Sequence, residues 1–122
     1  MKRVTGIGGV FFKCKDPDLM QSWYRKHLDI NADHYSAMFQ WKECDDKEAC
    51  TVWSLFKEDT TYFNPGNQSF MINYRVYDLE KLLVQLREEG VEIVGDMETY
   101  DYGKFAWIID PEGNKIELWQ PL

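Results

Sequence analysis

The sequence predicts an α+β domain that contains the same strand–helix unit twice. Two apolar strand patterns end at Asp16 and Asp78, which are 62 residues apart (78 − 16) in a chain of 122. Each pattern leads into a helix with amphipathic spacing, and strand-like segments follow each helix. Because the repeat is about half the chain, it predicts two pseudo-symmetric βαβββ modules, residues 1–60 and 66–122, with a site between them.

The first module begins with a strand pattern at residues 6–13. Asp16 followed by Pro17 is the pairing expected at a helix start, with Asp as N-cap and Pro at the first helical position. The apolar residues that follow have helical spacing and predict one buried face. They are Leu19, Met20, Trp23, Tyr24 and Leu28.

Residues 32–57 predict two or three strands, of which the clearer two cover 37–42 and 51–56. The acidic stretch at 45–48 joins them as a turn, and it is flanked by two of the three cysteines, Cys44 and Cys50. An odd number of cysteines without a Cys-x-x-Cys motif indicates neither a disulfide framework nor a zinc ribbon. Residues 58–69 are rich in turn-forming residues and predict the connection between the modules.

The second module repeats the pattern with a strand at residues 70–77 and a helix capped by Asp78 and ended by Gly90. Leucines at helical spacing form the predicted buried stripe of this helix. Further strands are predicted at 91–94, 104–109 and 115–119, the last two joined by the turn Asp110-Pro-Glu-Gly-Asn114.

Composition excludes several classes of function. The formal net charge of −7 disfavours nucleic acids and anionic membrane surfaces as partners. The N-terminus has no signal-peptide pattern, and no apolar run has the length of a membrane span. We therefore expect a cytoplasmic protein that binds neither nucleic acid nor membrane.

The closing motif at residues 110–118, Asp-Pro-Glu-Gly-Asn-Lys-Ile-Glu-Leu, resembles the vicinal oxygen chelate superfamily. This superfamily includes glyoxalase I, bleomycin-resistance and fosfomycin-resistance proteins, and extradiol dioxygenases. The segments at 16–28 and 77–82 resemble its two helices, so the resemblance covers almost the whole chain. It implies a single glyoxalase-like domain with paired cupped sheets around a central cavity and the helices outside.

The resemblance also implies positions for metal ligands. The metal enzymes of the family place a His in the first strand, a His or similar ligand in the first strand of the second module, and a Glu in the last strand. These positions fall on Gly9, Met71 and Glu117. Glycine has no donor atom, and a thioether is a poor ligand for hard or borderline divalent ions. The expectation is therefore no metal and no cofactor.

Glu117 is the candidate catalytic residue, because strand alternation and the family position both place it in the cavity. It could act as a general base, accept a hydrogen bond from a ligand, or be neutralised by Arg75 as a structural ion pair. Phe11, Trp107 and Trp119 could stack a planar ligand or simply fill the cavity. The histidines, His27 and His34, fall on no family ligand position. The candidate ligand-binding residues are Phe11, Asn73, Arg75, Phe105, Trp107 and Trp119.

Three functions are compatible with these residues. The first hypothesis is a glyoxalase/bleomycin-resistance-like protein that binds an apolar or aromatic small molecule without metal. The second is a metal-dependent lyase, isomerase or dioxygenase with a rebuilt ligand set. The third is an interaction module with a filled cavity. Whether the chain is an enzyme stays open at this point. Because family members commonly pair, a homodimer is expected.

Overall fold

The computed structural model describes residues 3–41 and 49–122, which form seven strands and two helices. Lys42 of one predicted strand, Cys44 and the predicted turn at 45–48 lie outside the described residues. The strands are β1 (Val4–Cys14), β2 (Ser36–Gln40), β3 (Cys50–Lys57), β4 (Phe70–Val76), β5 (Glu98–Tyr100), β6 (Gly103–Ile109) and β7 (Lys115–Pro121); the helices are α1 (Pro17–Leu28) and α2 (Leu79–Glu88).

The strands form one mixed sheet in the order β2-β3-β1-β4-β7-β6-β5. At its centre β1 and β4 run antiparallel, and each has a parallel partner, β3 beside β1 and β7 beside β4. This architecture confirms the predicted α+β class. The strands of both halves belong to one continuous sheet, and its division into paired modules stays a prediction.

The predicted helix starts are confirmed at both copies of the repeat. The Asp16 side chain accepts the backbone N–H of Leu19, and the Asp78 side chain accepts that of Lys81, each at 3.1 Å. These bonds satisfy donors that have no partner within the helix, which is why Asp favours this position. Gly90 follows α2 with a φ of 81°, the left-handed region in which glycine is unstrained.

Helix α2 packs one face on the sheet, as its leucine stripe predicts. Leu79, Leu82 and Leu83 are buried in a single apolar cluster with residues of the sheet. Ala106 of β6 and Leu118 of β7 supply the facing surface. This cluster is the larger of the two apolar clusters that the described residues form.

Helix α1 differs from the prediction, because none of its residues is fully buried. Leu19 is 65% exposed and Leu28 57%. Contact with the sheet instead runs through Tyr24, whose ring lies 6.3 Å from the Phe12 ring and 4.9 Å from the Trp53 ring. Helical spacing identifies one apolar stripe, but the sheet under α1 covers only the part of that stripe near Tyr24.

Two further predictions concern strands and turns. Residues 91–94, predicted to begin a strand, contribute only an isolated bridge between Ile93 and Ile108. The final turn is as predicted: the Asp110 carboxylate accepts the backbone N–H groups of Glu112 and Asn114, both at 2.9 Å.

Within the described ranges, no helix is long and apolar enough to cross a membrane.

Candidate functional site

A cavity of about 530 Å³ opens on the sheet face opposite α2, and we call it the Glu117 cavity. Six of the seven predicted site residues line it, and strands from both halves of the sheet contribute. The complete lining is Gly8, Phe11, Ser36, Val52, Ser54, Phe56, Tyr62, Asn73, Glu98, Tyr100, Tyr102, Phe105, Trp107, Glu117 and Trp119.

Sheet register explains why the predicted residues meet. Asn73 on β4 is the neighbour of Glu117 on β7, and Trp107 on β6 is the neighbour of Glu117 from the other side. Phe105 pairs with Trp119 in the same way. Directly opposed residues project to the same face of a sheet, so these side chains share the cavity.

The Glu117 carboxylate belongs to a residue that is 2% exposed, and it accepts three hydrogen bonds. The Tyr62 hydroxyl and the Trp107 indole N–H, the latter at 3.0 Å, both donate to Oε1. The Asn73 amide Nδ2 donates to Oε2 at 2.5 Å. A buried carboxylate needs such donors, because burial removes its hydration. We call Asn73, Trp107 and Glu117 the floor of the cavity.

Tyr62 is the site residue that sequence reasoning missed. It lies in the predicted connection at 58–69, where no periodicity indicates which way a side chain faces. Burial, and then the neighbouring Glu117 carboxylate, raise the pKa of the Tyr62 hydroxyl well above its usual range. The hydroxyl therefore remains a neutral donor to Glu117. One feature of the sequence could have indicated a buried position here. Tyr62 and Phe63 are adjacent aromatic residues in a polar segment, and Phe63 is fully buried in the structure.

The Asn73 amide has an unpaired acceptor. Because Nδ2 faces the Glu117 carboxylate, Oδ1 points away from it, and this buried oxygen has no hydrogen-bond partner. Oδ1 lies beside Gly8: a Cβ placed on Gly8 would be 2.2 Å from it and 2.9 Å from Cε3 of Trp119. The missing side chain at position 8 therefore leaves room for the acceptor at the cavity wall.

Glu98, Tyr100 and Tyr102 form the exposed rim of the same cavity. The rings of Tyr100 and Tyr102 are stacked at 5.4 Å, and the Tyr100 hydroxyl donates to the Glu98 carboxylate. Below them the rings of Phe105 and Trp119 are stacked at 6.1 Å. The rim thus combines a carboxylate with aromatic faces.

Arg75 is the predicted site residue that the structure places elsewhere. It shares a strand face with Asn73, but it lines a neighbouring cavity of about 830 Å³. Its guanidinium lies between two indole rings, 5.2 Å from Trp41 and 5.5 Å from Trp119. Glu117 is held by three neutral donors, in place of the Arg75 ion pair that the sequence left open.

The family's metal positions do not fit a divalent ion in this chain. Gly9 supplies no donor, and Met71 is fully buried in an apolar cluster with Phe11, Phe63 and Trp107. The Glu117 carboxylate already accepts three hydrogen bonds from protein donors. Among residues 3–41 and 49–122, no group of three or more His, Cys, Asp or Glu residues could hold a metal ion.

Comparison with known proteins identifies the family. Residues 6–118 match the model of the Glyoxalase/Bleomycin resistance protein/Dioxygenase superfamily, and the chain belongs to this superfamily. The resemblance inferred from the closing motif is thereby confirmed. No curated protein matches the sequence.

Solved structures share the fold at low identity. Methylmalonyl-CoA epimerase from Mycobacterium tuberculosis is 22% identical with a TM-score of 0.65, over 100% of this chain and 91% of that one. Streptomyces coelicolor methylmalonyl-CoA epimerase, in complex with 2-nitronate-propionyl-CoA, is 17% identical with a TM-score of 0.71, over 96% and 97%. A superfamily member from Vibrio splendidus 12B01 is 13% identical with a TM-score of 0.59, over 93% and 97%. At these identities the likeness extends to the fold alone.

Proposed function

We propose that this chain binds a small apolar or aromatic molecule in the Glu117 cavity without a metal ion. The observation that carries the proposal is a cavity of about 530 Å³ with aromatic walls and a buried polar floor. Its volume lies within the range of about 300–1,000 Å³ typical of small-molecule sites. Apolar walls with a few polar anchors are the usual composition of such sites.

In this proposal Glu117 orients the floor. A carboxylate that accepts hydrogen bonds from Tyr62, Asn73 and Trp107 fixes the positions of all three side chains. Such preorganisation lowers the entropy that binding must overcome. The polar group left for a ligand on the floor is Oδ1 of Asn73.

The open cavity favours ligand binding over an interaction module with a filled interior. The donor set at Gly9, Met71 and Glu117 favours metal-independent binding over metal-dependent lyase, isomerase or dioxygenase chemistry. Two of the three solved structures named above are methylmalonyl-CoA epimerases, but one fold supports many unrelated activities, so their reaction does not transfer with the fold.

Isothermal titration calorimetry with indole, in buffer with and without EDTA, tests this proposal. We expect saturable binding with the same affinity in both buffers. Trp107→Ala should weaken it by about 1–3 kcal/mol, the range of aromatic stacking losses. Trp23→Ala is the matched control, because Trp23 is 49% exposed on α1, and it should leave affinity unchanged.

Trp107→Phe keeps a ring in the wall and guards against misfolding of the alanine variant. It should retain most of the affinity, since it removes only the N–H bond to Glu117 and part of the ring. Binding that disappears in EDTA and returns with added metal would contradict the proposal.

A further inference from the structure

We propose that the ligand of the Glu117 cavity is an aromatic amine, with a ring N–H at one end and an ammonium at the other. The inference rests on the proposed function and specifies its ligand class. The charged residues in the described lining are Glu98 and Glu117, and that lining contains neither Lys nor Arg. The side chains that line the cavity therefore favour a cationic ligand over an anionic one.

The floor accounts for the ring N–H. Oδ1 of Asn73 is buried and has no partner, and an unpaired buried acceptor costs free energy that a ligand donor would recover. The orientation of the amide is fixed, because Nδ2 must face the Glu117 carboxylate. The floor consequently offers an acceptor, and it selects ligands that donate.

The unpaired buried donor of the site, Nε1 of Trp119, has a different orientation. A Cβ on Gly103 would lie 2.5 Å from it, so this N–H lies beside Gly103, which is not among the residues that line the cavity. Oδ1 of Asn73 instead lies beside Gly8, which lines the cavity. An acceptor on the ligand has no comparable partner on the floor.

The rim accounts for the ammonium. Glu98 lies beside the stacked rings of Tyr100 and Tyr102, and aromatic faces attract cations. These three residues are exposed, so an ammonium held there keeps part of its hydration. Burying that charge at the floor would cost far more. The geometry thus assigns the neutral donor to the floor and the charge to the rim.

The nearest described cations are engaged in neighbouring cavities. Lys115 lines a cavity of about 340 Å³ with Asp96 and Glu98, and its Nζ donates to the Tyr62 carbonyl at 2.7 Å. Arg75 lines the cavity of about 830 Å³ and lies between two indole rings. Neither residue is part of the lining of the Glu117 cavity, and the Lys115 Nζ lies outside it, 5.1 Å from the Tyr62 ring centroid and 5.4 Å from that of Trp107.

Matched indole probes test the inference by calorimetry at low salt. Tryptamine is the cation, indole-3-propionamide the neutral analogue and indole-3-propionate the anion. We expect tryptamine to bind about fivefold or more tightly than the amide, and the propionate to bind most weakly. N1-methyltryptamine, which keeps the charge and loses the ring N–H, should bind about fivefold or more weakly than tryptamine.

Glu98→Gln should reduce tryptamine binding about threefold or more and leave the amide within about twofold. Glu88→Gln is the control with the same change in net charge, on the exposed side of α2. Equal effects of the two variants would overturn the inference, because net charge alone would then explain the preference. If tryptamine, the amide and the propionate bind equally well, or if the propionate binds most tightly, the inference is wrong and the proposed function stands. If no indole probe binds, both the inference and the proposed function are wrong.

Discussion

The two faces of strands β6 and β7 are equally buried and chemically opposite. Ala106 and Leu118, 1% and 3% exposed, pack beneath α2 in an entirely apolar cluster. Their sequence neighbours Trp107 and Glu117, 8% and 2% exposed, face the cavity with charge and hydrogen-bonding groups. The first face stabilises the fold. The second face retains polar groups whose burial costs free energy. Such a local departure from the most stable packing is expected at a functional site.

The largest expected effect lies on the helix face. Leu82→Ala removes a side chain that is 5% exposed, and it should lower the free energy of unfolding by about 2–5 kcal/mol through lost burial and a cavity. Denaturant titration measures the change, and affinity for indole should be unaltered in the folded fraction. Val84→Ala, on the same helix but 52% exposed, should change stability by less than about 0.5 kcal/mol.

A loss of indole affinity in folded Leu82→Ala would contradict the separate roles of the two faces, because it would show that they are coupled. Comparable destabilisation by Leu82→Ala and Val84→Ala would show that the α2 contact contributes little to the fold.

An intermediate effect is expected on the cavity face. Glu117→Gln keeps the shape of the side chain but removes the charge that three donors contact. It should lower the free energy of unfolding by about 1.5–3 kcal/mol, the range for hydrogen bonds to charged groups. Thermal or denaturant unfolding provides the measurement, with Glu88→Gln as the charge-matched control. If Glu117→Gln instead raises stability, the prediction is wrong, and the buried carboxylate destabilises the fold despite its three hydrogen bonds.

The smallest effect at neutral pH is expected from Tyr62→Phe. The variant loses one hydrogen bond to Glu117, and because Tyr62 is 37% exposed, water can replace the lost donor. It should therefore be less stable by only about 0.5–1.5 kcal/mol, as denaturant titration would measure. Tyr77, which is 75% exposed, supplies the matched control: Tyr77→Phe should leave stability within about 0.5 kcal/mol of the parent. Equal effects of the two substitutions would show that the bond to Glu117 adds nothing to the fold.

Alkaline pH sharpens the same test. Folding raises the pKa of Tyr62, so its contribution is full below the unfolded value of about 10 and is lost as pH rises further. Above that pH the parent should lose stability more steeply than Tyr62→Phe. Denaturant midpoints between about pH 9 and 11, on either side of the ordinary tyrosine pKa, measure the slopes. Parallel curves would place the Tyr62 hydroxyl in contact with solvent.

The sequence predicted those features that depend on short-range periodicity or on local hydrogen bonding. Strand period two brings Asn73, Trp107 and Glu117 to one face, and an Asp at a helix start satisfies a backbone donor whatever surrounds it. Strand alternation predicts which face of the sheet Arg75 occupies, but it does not predict which cavity on that face the side chain enters. In the structure the Arg75 guanidinium contacts the Trp119 ring. Tyr62 lies in a segment without a period, so its direction depends on tertiary contacts that the sequence does not display.

Strand β5 has a consequence for the exchange of a bound molecule. It is three residues long, lies at the edge of the sheet, pairs only with β6 in the described sheet order, and carries Glu98 and Tyr100 of the rim. Short edge elements with exposed backbone open at a free energy far below that of global unfolding. The residence time of a ligand should therefore follow the local fraying of β5, while hydrogen exchange in the central strands β1 and β4 continues to report the stability of the whole molecule.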